Sequence, residues 1–285
     1  MRKKVLVTGA KGQLALTLKE LYKEKESELD LVFVSKQELN INNEDAVNYF
    51  FRKNKFDYCI NCAAYTAVDS AENDQEKAKN INTLGPKNLA VACRKNNISL
   101  IHISTDYVFD GNKPEPYNES DQTNPLSVYG MTKLKGEELI AEHLVEHFII
   151  RTSWLYSEHG NNFMKTMICL SQDRELLSVV EDQIGTPTYA KDLASVIFKI
   201  IITNNKAYGL YHYSNEGIAS WYDFAKAIFE ETNTKIKLLP IKSESYPTPA
   251  KRPNFSVLDK TKIKTNLQIE IPYWRDSLKQ ALSNL

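Results

Sequence analysis

The chain has 285 residues, 42% hydrophobic and 25% charged, the composition of a soluble globular protein with room for one large domain or two smaller ones. Lys plus Arg and Asp plus Glu both number 36, and a net charge near zero argues against a nucleic-acid binder that works by counterion release. No stretch reaches the roughly 20 apolar residues of a membrane span, MRKKVLVTGAKGQL lacks a signal-like apolar run, and four cysteines suit a reducing compartment; the expectation is a cytoplasmic protein with no membrane contact.

In chain order, KVLVT (4–8) reads as a strand and is followed by a helical pattern from Gln13 to about Lys25. DLVFVS (30–35) precedes a helix over 44–53, and DYCINCAA (57–64) precedes one over 75–96. SLIHIS (99–104) leads into a loop with Pro114, Pro116 and Pro125, then a helix from Val128 to about His147, then HFIIRT (147–152). Near-continuous apolar strands alternating with helices predict a parallel sheet covered on both faces. The expected fold is therefore α/β, a Rossmann-type doubly wound sheet over 1–152.

Beyond 152 the rhythm is less regular. Helices are expected over 162–173, 190–203 and 220–232, the last with Trp221 and Phe224 on its apolar face, and extended segments at LLSVVED and GLYHYS. SYPTPAKRPNFS (245–256) reads as an ordered loop because of its prolines. Residues 153–285 are expected to form mainly a smaller substrate-binding region that closes a cleft at the sheet's carboxyl edge, with part of 184–212 returning to the first domain.

The first strand runs into Gly9-Ala10-Lys11-Gly12-Gln13-Leu14-Ala15, a G-x-x-G-x-x-A turn before a helix. Such a turn lets a pyrophosphate approach backbone N–H groups at a helix N-terminus, so a dinucleotide is the expected ligand. The second strand ends in Ser35 and Lys36, where an NAD-preferring site usually has an acid. With Lys11 these residues suit a 2′-phosphate and favour NADPH, leaving NADH as the other candidate.

Tyr-x-x-x-Lys spacing occurs three times, at Tyr49/Lys53, Tyr129/Lys133 and Tyr222/Lys226. Only the second follows a strand that delivers a hydroxyl residue, Thr105, to the sheet's carboxyl edge. At the start of a helix the spacing puts both side chains on one face. A nearby ammonium, with the positive ring of an oxidised nicotinamide, is expected to pull a phenol's pKa down from near 10 and make Tyr129 a workable acid. Thr105 would hold the substrate oxygen near it.

Two metal-like motifs carry less weight. Cys59-Ile-Asn-Cys62 reads as a buried strand without a second pair. His143-Leu-Val-Glu-His147 matches the H-x-x-E-H pattern of inverted zinc peptidases, but its second histidine begins the next strand. No metal site is expected.

VTGAKGQLA, NCAAYTAVDSAE, STDYVFDG, VYGMTK, RTSWLY, GNNFMKTM, DQIGTPT, GLYHYSNEG, WYDFA and YPTPAKRPNFS together carry a resemblance over nearly the whole chain. The sequence resembles the extended short-chain dehydrogenase/reductases and, within them, the dTDP-4-dehydrorhamnose reductases. The resemblance implies reduction of C4 of dTDP-4-dehydro-L-rhamnose by NAD(P)H, giving dTDP-L-rhamnose for surface polysaccharide. It implies Tyr129 as proton donor, Lys133 as the partner that lowers its pKa, and Thr105 as the residue that orients the substrate. Gly12, Gln13 and Leu14 would follow the pyrophosphate, Asn40 and Ile41 would lie near the adenine, and Ala64, Tyr65 and Thr66 would line the path to the nicotinamide. Asp106 and Trp154 would contact the dTDP-sugar, and Lys251 and Arg252 its diphosphate.

Asn40 stands where relatives often have Asp. Some members form magnesium-bridged dimers through acidic side chains, but the corresponding positions here are Thr17 and Lys191, so Mg2+ has no support in this sequence and monomer and homodimer both stay open. A sugar-nucleotide dehydratase needs Glu after the strand-end Asp, whereas Asp106 is followed by Tyr107. The other reading is a non-catalytic NADP-binding subunit like the methionine adenosyltransferase β subunit, against which the intact Thr105, Tyr129 and Lys133 argue.

Overall fold

A computed structural model describes residues 2–285. The first half alternates regularly: β1 (Lys3–Thr8), α1 (Gln13–Tyr22), β2 (Leu29–Val34), α2 (Glu44–Lys53), β3 (Tyr58–Asn61), the short helices α3 (Val68–Ala71) and α4 (Gln75–Lys79), α5 (Gly85–Asn96), β4 (Ser99–Thr105), α6 (Val128–His143) and β5 (His147–Thr152). The helix expected over 75–96 runs through one wider π turn at Asn80–Leu84. The helix expected to reach His147 ends at His143 instead, and His147 opens β5.

The second half contains β6 (Leu155–Tyr156), α7 (Phe163–Asp173), β7 (Leu176–Val180), β8 (Ile184–Gly185), β9 (Thr188–Tyr189), α8 (Ala190–Ile202), β10 (Gly209–His212), β11 (Ala219–Ser220), α9 (Trp221–Glu231), β12 (Lys237–Ile241), α10 (Thr261–Leu267) and α11 (Trp274–Ser283). Six strands form one parallel sheet in the order β10-β5-β4-β3-β1-β2.

Strand alternation sorts the apolar side chains onto two faces. Val5, Val7, Ile60, Phe148 and Ile150 face one layer with residues of α1, α8 and α10. Leu6, Cys59, Leu100 and Ile149 face the other with residues of α2, α5 and α6. A separate core, with Phe224, Ile228, Trp274 and Leu278, holds the remaining C-terminal elements together.

The sheet order reverses direction between β1 and β3, so the loops leaving their carboxyl ends part and open a crevice. Among the described residues no helix is long and apolar enough to cross a membrane.

Candidate functional site

Two adjoining cavities occupy the crevice and share Lys11, Gly12, Cys62 and Ala64. The first, of about 320 Å³, is lined by Gly9, Ser35, Lys36, Asn40 and Ile41 among others. Gly9 has φ +69°, and a Cβ there would stand 2.7 Å from the Ala63 nitrogen, so only glycine permits this turn. Gly12 caps α1 without a side-chain bond to the first-turn N–H groups, and that turn carries no acidic residue. Uncapped donors at the positive end of a ten-residue helix suit a pyrophosphate. The residues present therefore fit a dinucleotide. Ser35 uses both its N–H and its hydroxyl on Glu38, each at 2.7 Å, which leaves Lys11 and Lys36 as the cations of this corner.

The second cavity, about 630 Å³, takes its floor from Gln13, Leu14, Thr66, Thr105, Asp106, Tyr129 and Lys133. Trp154, Gly160, Asn161 and Trp221, from the second half of the chain, form its other side. α6 starts here because Ser127 accepts a cap bond from the Gly130 N–H at 3.2 Å, while Glu72 accepts from Val128 N–H at 2.9 Å. A Cβ at Gly130 would stand 2.2 Å from the Tyr107 carbonyl oxygen. The missing side chain is what lets the first turn of α6 press against the end of β4 and bring Tyr129 beside Thr105.

Lys133 is only 2% exposed, and its ammonium donates to the Ile103 carbonyl at 2.5 Å. Burial lowers its pKa to about 8, with Glu137 pulling the other way. Burial pushes the Tyr129 phenol up to about 12, and the Thr105 hydroxyl offsets part of that. The expected downward pull of Lys133 on Tyr129 is therefore absent from the protein's own groups: desolvation dominates, and the lysine is turned to the β4 backbone. Asp106, 2% exposed, accepts from the Thr105 hydroxyl at 3.1 Å and is pushed up to about 6 by burial. The two other Tyr-x-x-x-Lys pairs lie elsewhere: Tyr49 is 58% exposed with Lys53 over its ring, and Lys226 is exposed on α9.

Three expected residues stand apart from the two cavities. Tyr65 lines neither; its N–H donates to Asn82, its hydroxyl to Asp74, and its ring packs with Val128 and Tyr129. Lys251 and Arg252 line a separate cavity of about 370 Å³ with Gln183, Thr248 and Asn254. The Arg252 guanidinium is held by Asp69 at 3.1 and 2.7 Å, an ion pair that fastens the proline-rich loop to α3. An arginine so paired has fewer donors left for a diphosphate.

Trp221 is the main residue that sequence reasoning left out of the site. Its indole stacks on Trp154 with ring centroids 3.6 Å apart and planes 9° apart. Trp154 itself has φ +46°, a left-handed conformation that a bulky residue keeps only where its surroundings enforce it. Cys59 and Cys62 belong to opposite faces of the sheet, and His143 and His147 each contact a backbone carbonyl, of Leu139 and Leu144. Among the described residues no group of three metal-ligating side chains converges.

Comparison with known proteins gives a consistent result. The family model described as RmlD substrate binding domain matches residues 2–285. A dTDP-4-dehydrorhamnose reductase from Aggregatibacter actinomycetemcomitans is 42% identical, covering 97% of each chain. The spore coat polysaccharide biosynthesis protein SpsK of Bacillus subtilis is 40% identical over 98% of this chain and 96% of its own. The crystal structure of dTDP-4-dehydrorhamnose reductase from Bacillus anthracis in complex with NADP is 41% identical, covers 100% of both chains and superposes with a TM-score of 0.96.

Proposed function

The chain belongs to the RmlD substrate-binding-domain family, and from that membership we infer that it is an NADPH-dependent dTDP-4-dehydrorhamnose reductase. It reduces the C4 keto group of dTDP-4-dehydro-L-rhamnose to give dTDP-L-rhamnose. The observation that carries the reading is the meeting of Thr105, Tyr129 and Lys133 beside the glycine-loop cavity, in a chain 42% identical to a named reductase.

In this reading NADPH supplies the hydride. The first-turn N–H groups of α1 hold its pyrophosphate, Lys11 and Lys36 attract its 2′-phosphate, and Asn40 and Ile41 flank the adenine. Gly9, Ser35, Ala64 and Thr66 shape the walls. The Thr105 hydroxyl, turned from Asp106, donates a hydrogen bond to the C4 oxygen and sets it against Tyr129. Burial keeps Tyr129 protonated at neutral pH, which is the state a proton donor needs. Lys133 meets the phenolate left after transfer once its ammonium turns from the Ile103 carbonyl towards Tyr129. Asp106, Trp154 and Trp221 hold the sugar nucleotide. Residues 1–152 with part of 184–212 act as the cofactor-binding body, and the rest mainly binds substrate. Four free cysteines agree with a cytoplasmic setting.

Purified protein supplied with enzymatically prepared keto-sugar should oxidise NADPH steadily, and NADH more slowly in a parallel assay. Cofactor binding with no turnover would favour the non-catalytic subunit reading. Light scattering of the same sample decides between monomer and homodimer.

Two further outcomes are expected. Lys36→Ala should raise KM for NADPH by about 3- to 5-fold, the scale of one exposed ion pair, with little change for NADH. An equal effect on both cofactors would place Lys36 away from the 2′-phosphate. The kcat/KM profile should fall as pH rises through about 8, because Lys133 is charged below that value and neutral above it. A flat profile across this range would contradict a required ammonium.

A further inference from the structure

Behind Lys133 lies a buried chain of polar groups that crosses three strands. Its Nζ is 3.2 Å from Nε2 of His102 on β4. Nδ1 of that ring is 3.0 Å from Nδ2 of Asn61 on β3. Oδ1 of Asn61 accepts from the Thr8 hydroxyl at 2.7 Å and from the Ala63 N–H at 3.2 Å. Asn61 and His102 are 1% and 0% exposed, so bulk solvent does not reach this network.

The proton positions follow from these contacts. A backbone N–H can only donate, so Ala63 fixes Oδ1 on its own side and leaves the amide NH2 of Asn61 facing His102. Nδ1 must then be the acceptor, and a neutral ring carries its proton on Nε2. That N–H points at Lys133. An ammonium has three donors and no lone pair, so charged Lys133 meets His102 donor to donor, whereas an amine would accept the bond.

We propose that His102, with its tautomer fixed by Asn61, is a positioning residue that weakens the hold of Lys133 on its proton. The proposal rests on the reading of Lys133 as partner of Tyr129.

The other titratable groups around Lys133 leave this arrangement in place. Glu137, one turn further along α6, is bound by Arg151 of β5 at 2.7 Å. Burial keeps Cys62, after β3, a thiol, and it keeps His147, at the start of β5, neutral. Tyr129 and Asp106 stand on the cavity side, away from the His102 ring, and burial raises both. Burial and the Lys133 charge likewise keep His102 itself neutral.

The test combines spectroscopy with a pH profile. Long-range 1H–15N spectra of the wild-type protein should show His102 as the Nε2–H tautomer. His102→Gln can turn an amide oxygen towards Lys133, and it should move the alkaline limb of kcat/KM upward by about one pH unit or more. A merely structural histidine would lower stability or kcat and leave the limb in place. The Nδ1–H tautomer, or a limb that does not move, overturns the proposal. If His102→Gln does not fold, Asn61→Asp serves instead: its carboxylate accepts from Nδ1–H, so the ring proton should change nitrogen and the limb rise. Lys133→Met separates the two readings. It should remove the alkaline limb, and a limb that survives in that variant overturns the role of Lys133 as well.

Discussion

Tyr129→Phe is expected to lower kcat by about 10²- to 10⁴-fold, the usual contribution of a positioned general acid, while leaving NADPH affinity unchanged. The substitution removes one oxygen. The ring keeps its packing against Val128 and Tyr65, and its edge contact with Tyr107 at 5.7 Å and 79°. In the proposed mechanism Thr105 still orients the C4 oxygen, so substrate binding should change little and the loss should fall on kcat. Asp106, pushed to about 6, is mostly ionised at neutral pH and cannot replace the Tyr129 hydroxyl as donor. Single-turnover hydride transfer with a deuterated cofactor would separate chemistry from product release. A kcat within tenfold of wild type would remove Tyr129 from the mechanism.

The second large effect concerns stability. Arg151 and Glu137, with side chains 4% and 5% exposed, form a buried bidentate pair, with Nε at 3.1 Å from both carboxylate oxygens and Nη2 at 2.7 Å from one. Ser104, which lines the second cavity, donates its hydroxyl to the same carboxylate. Arg151→Leu would leave a buried carboxylate with only that hydroxyl, and should destabilise the protein by about 3–5 kcal/mol. For a chain of this size that corresponds to a fall in Tm of roughly 10 °C. Calorimetry checks it, and an unchanged Tm would show that the pair does not anchor α6. Replacing both residues by Leu should recover much of the loss, since no charge is then stranded. Because Glu137 follows Lys133 by one turn and Tyr129 by two, the pair also fixes where those two side chains stand.

The sheet was legible because β1 to β5 are short apolar runs with helical patterns between them, and burial on both faces leaves that signature. That Tyr129 and Lys133 meet Thr105 in one cavity was legible from setting rather than spacing, through Thr105 at the preceding strand end. Trp221 was not. On α9 it follows the same apolar stripe as Phe224, and nothing local says that its ring also stacks on Trp154 at the cavity. The Asp69–Arg252 pair joins residues 183 apart in sequence, a long-range match that no window detects. α11 did leave a readable signal, since Trp274, Leu278 and Ala281 fall at helical intervals and are all buried. The wider turn at Asn80–Leu84 has no such trace, because it is set by α6 crossing above it: a Cβ on Gly136 would stand 2.2 Å from the Asn82 carbonyl oxygen.

Trp154 and Trp221 are two of only three tryptophans in the chain. One follows the sheet strand β5 and the other opens α9, and both pack on the C-terminal core, so their stack forms one wall of the second cavity. Parallel indoles at 3.6 Å share their electronic excitation. A near-ultraviolet circular dichroism couplet is therefore expected, and its size should follow the separation of the two rings. A flat pyrimidine base seated against either indole should change that couplet without any label, so that substrate entry is timed separately from the absorbance of NADPH.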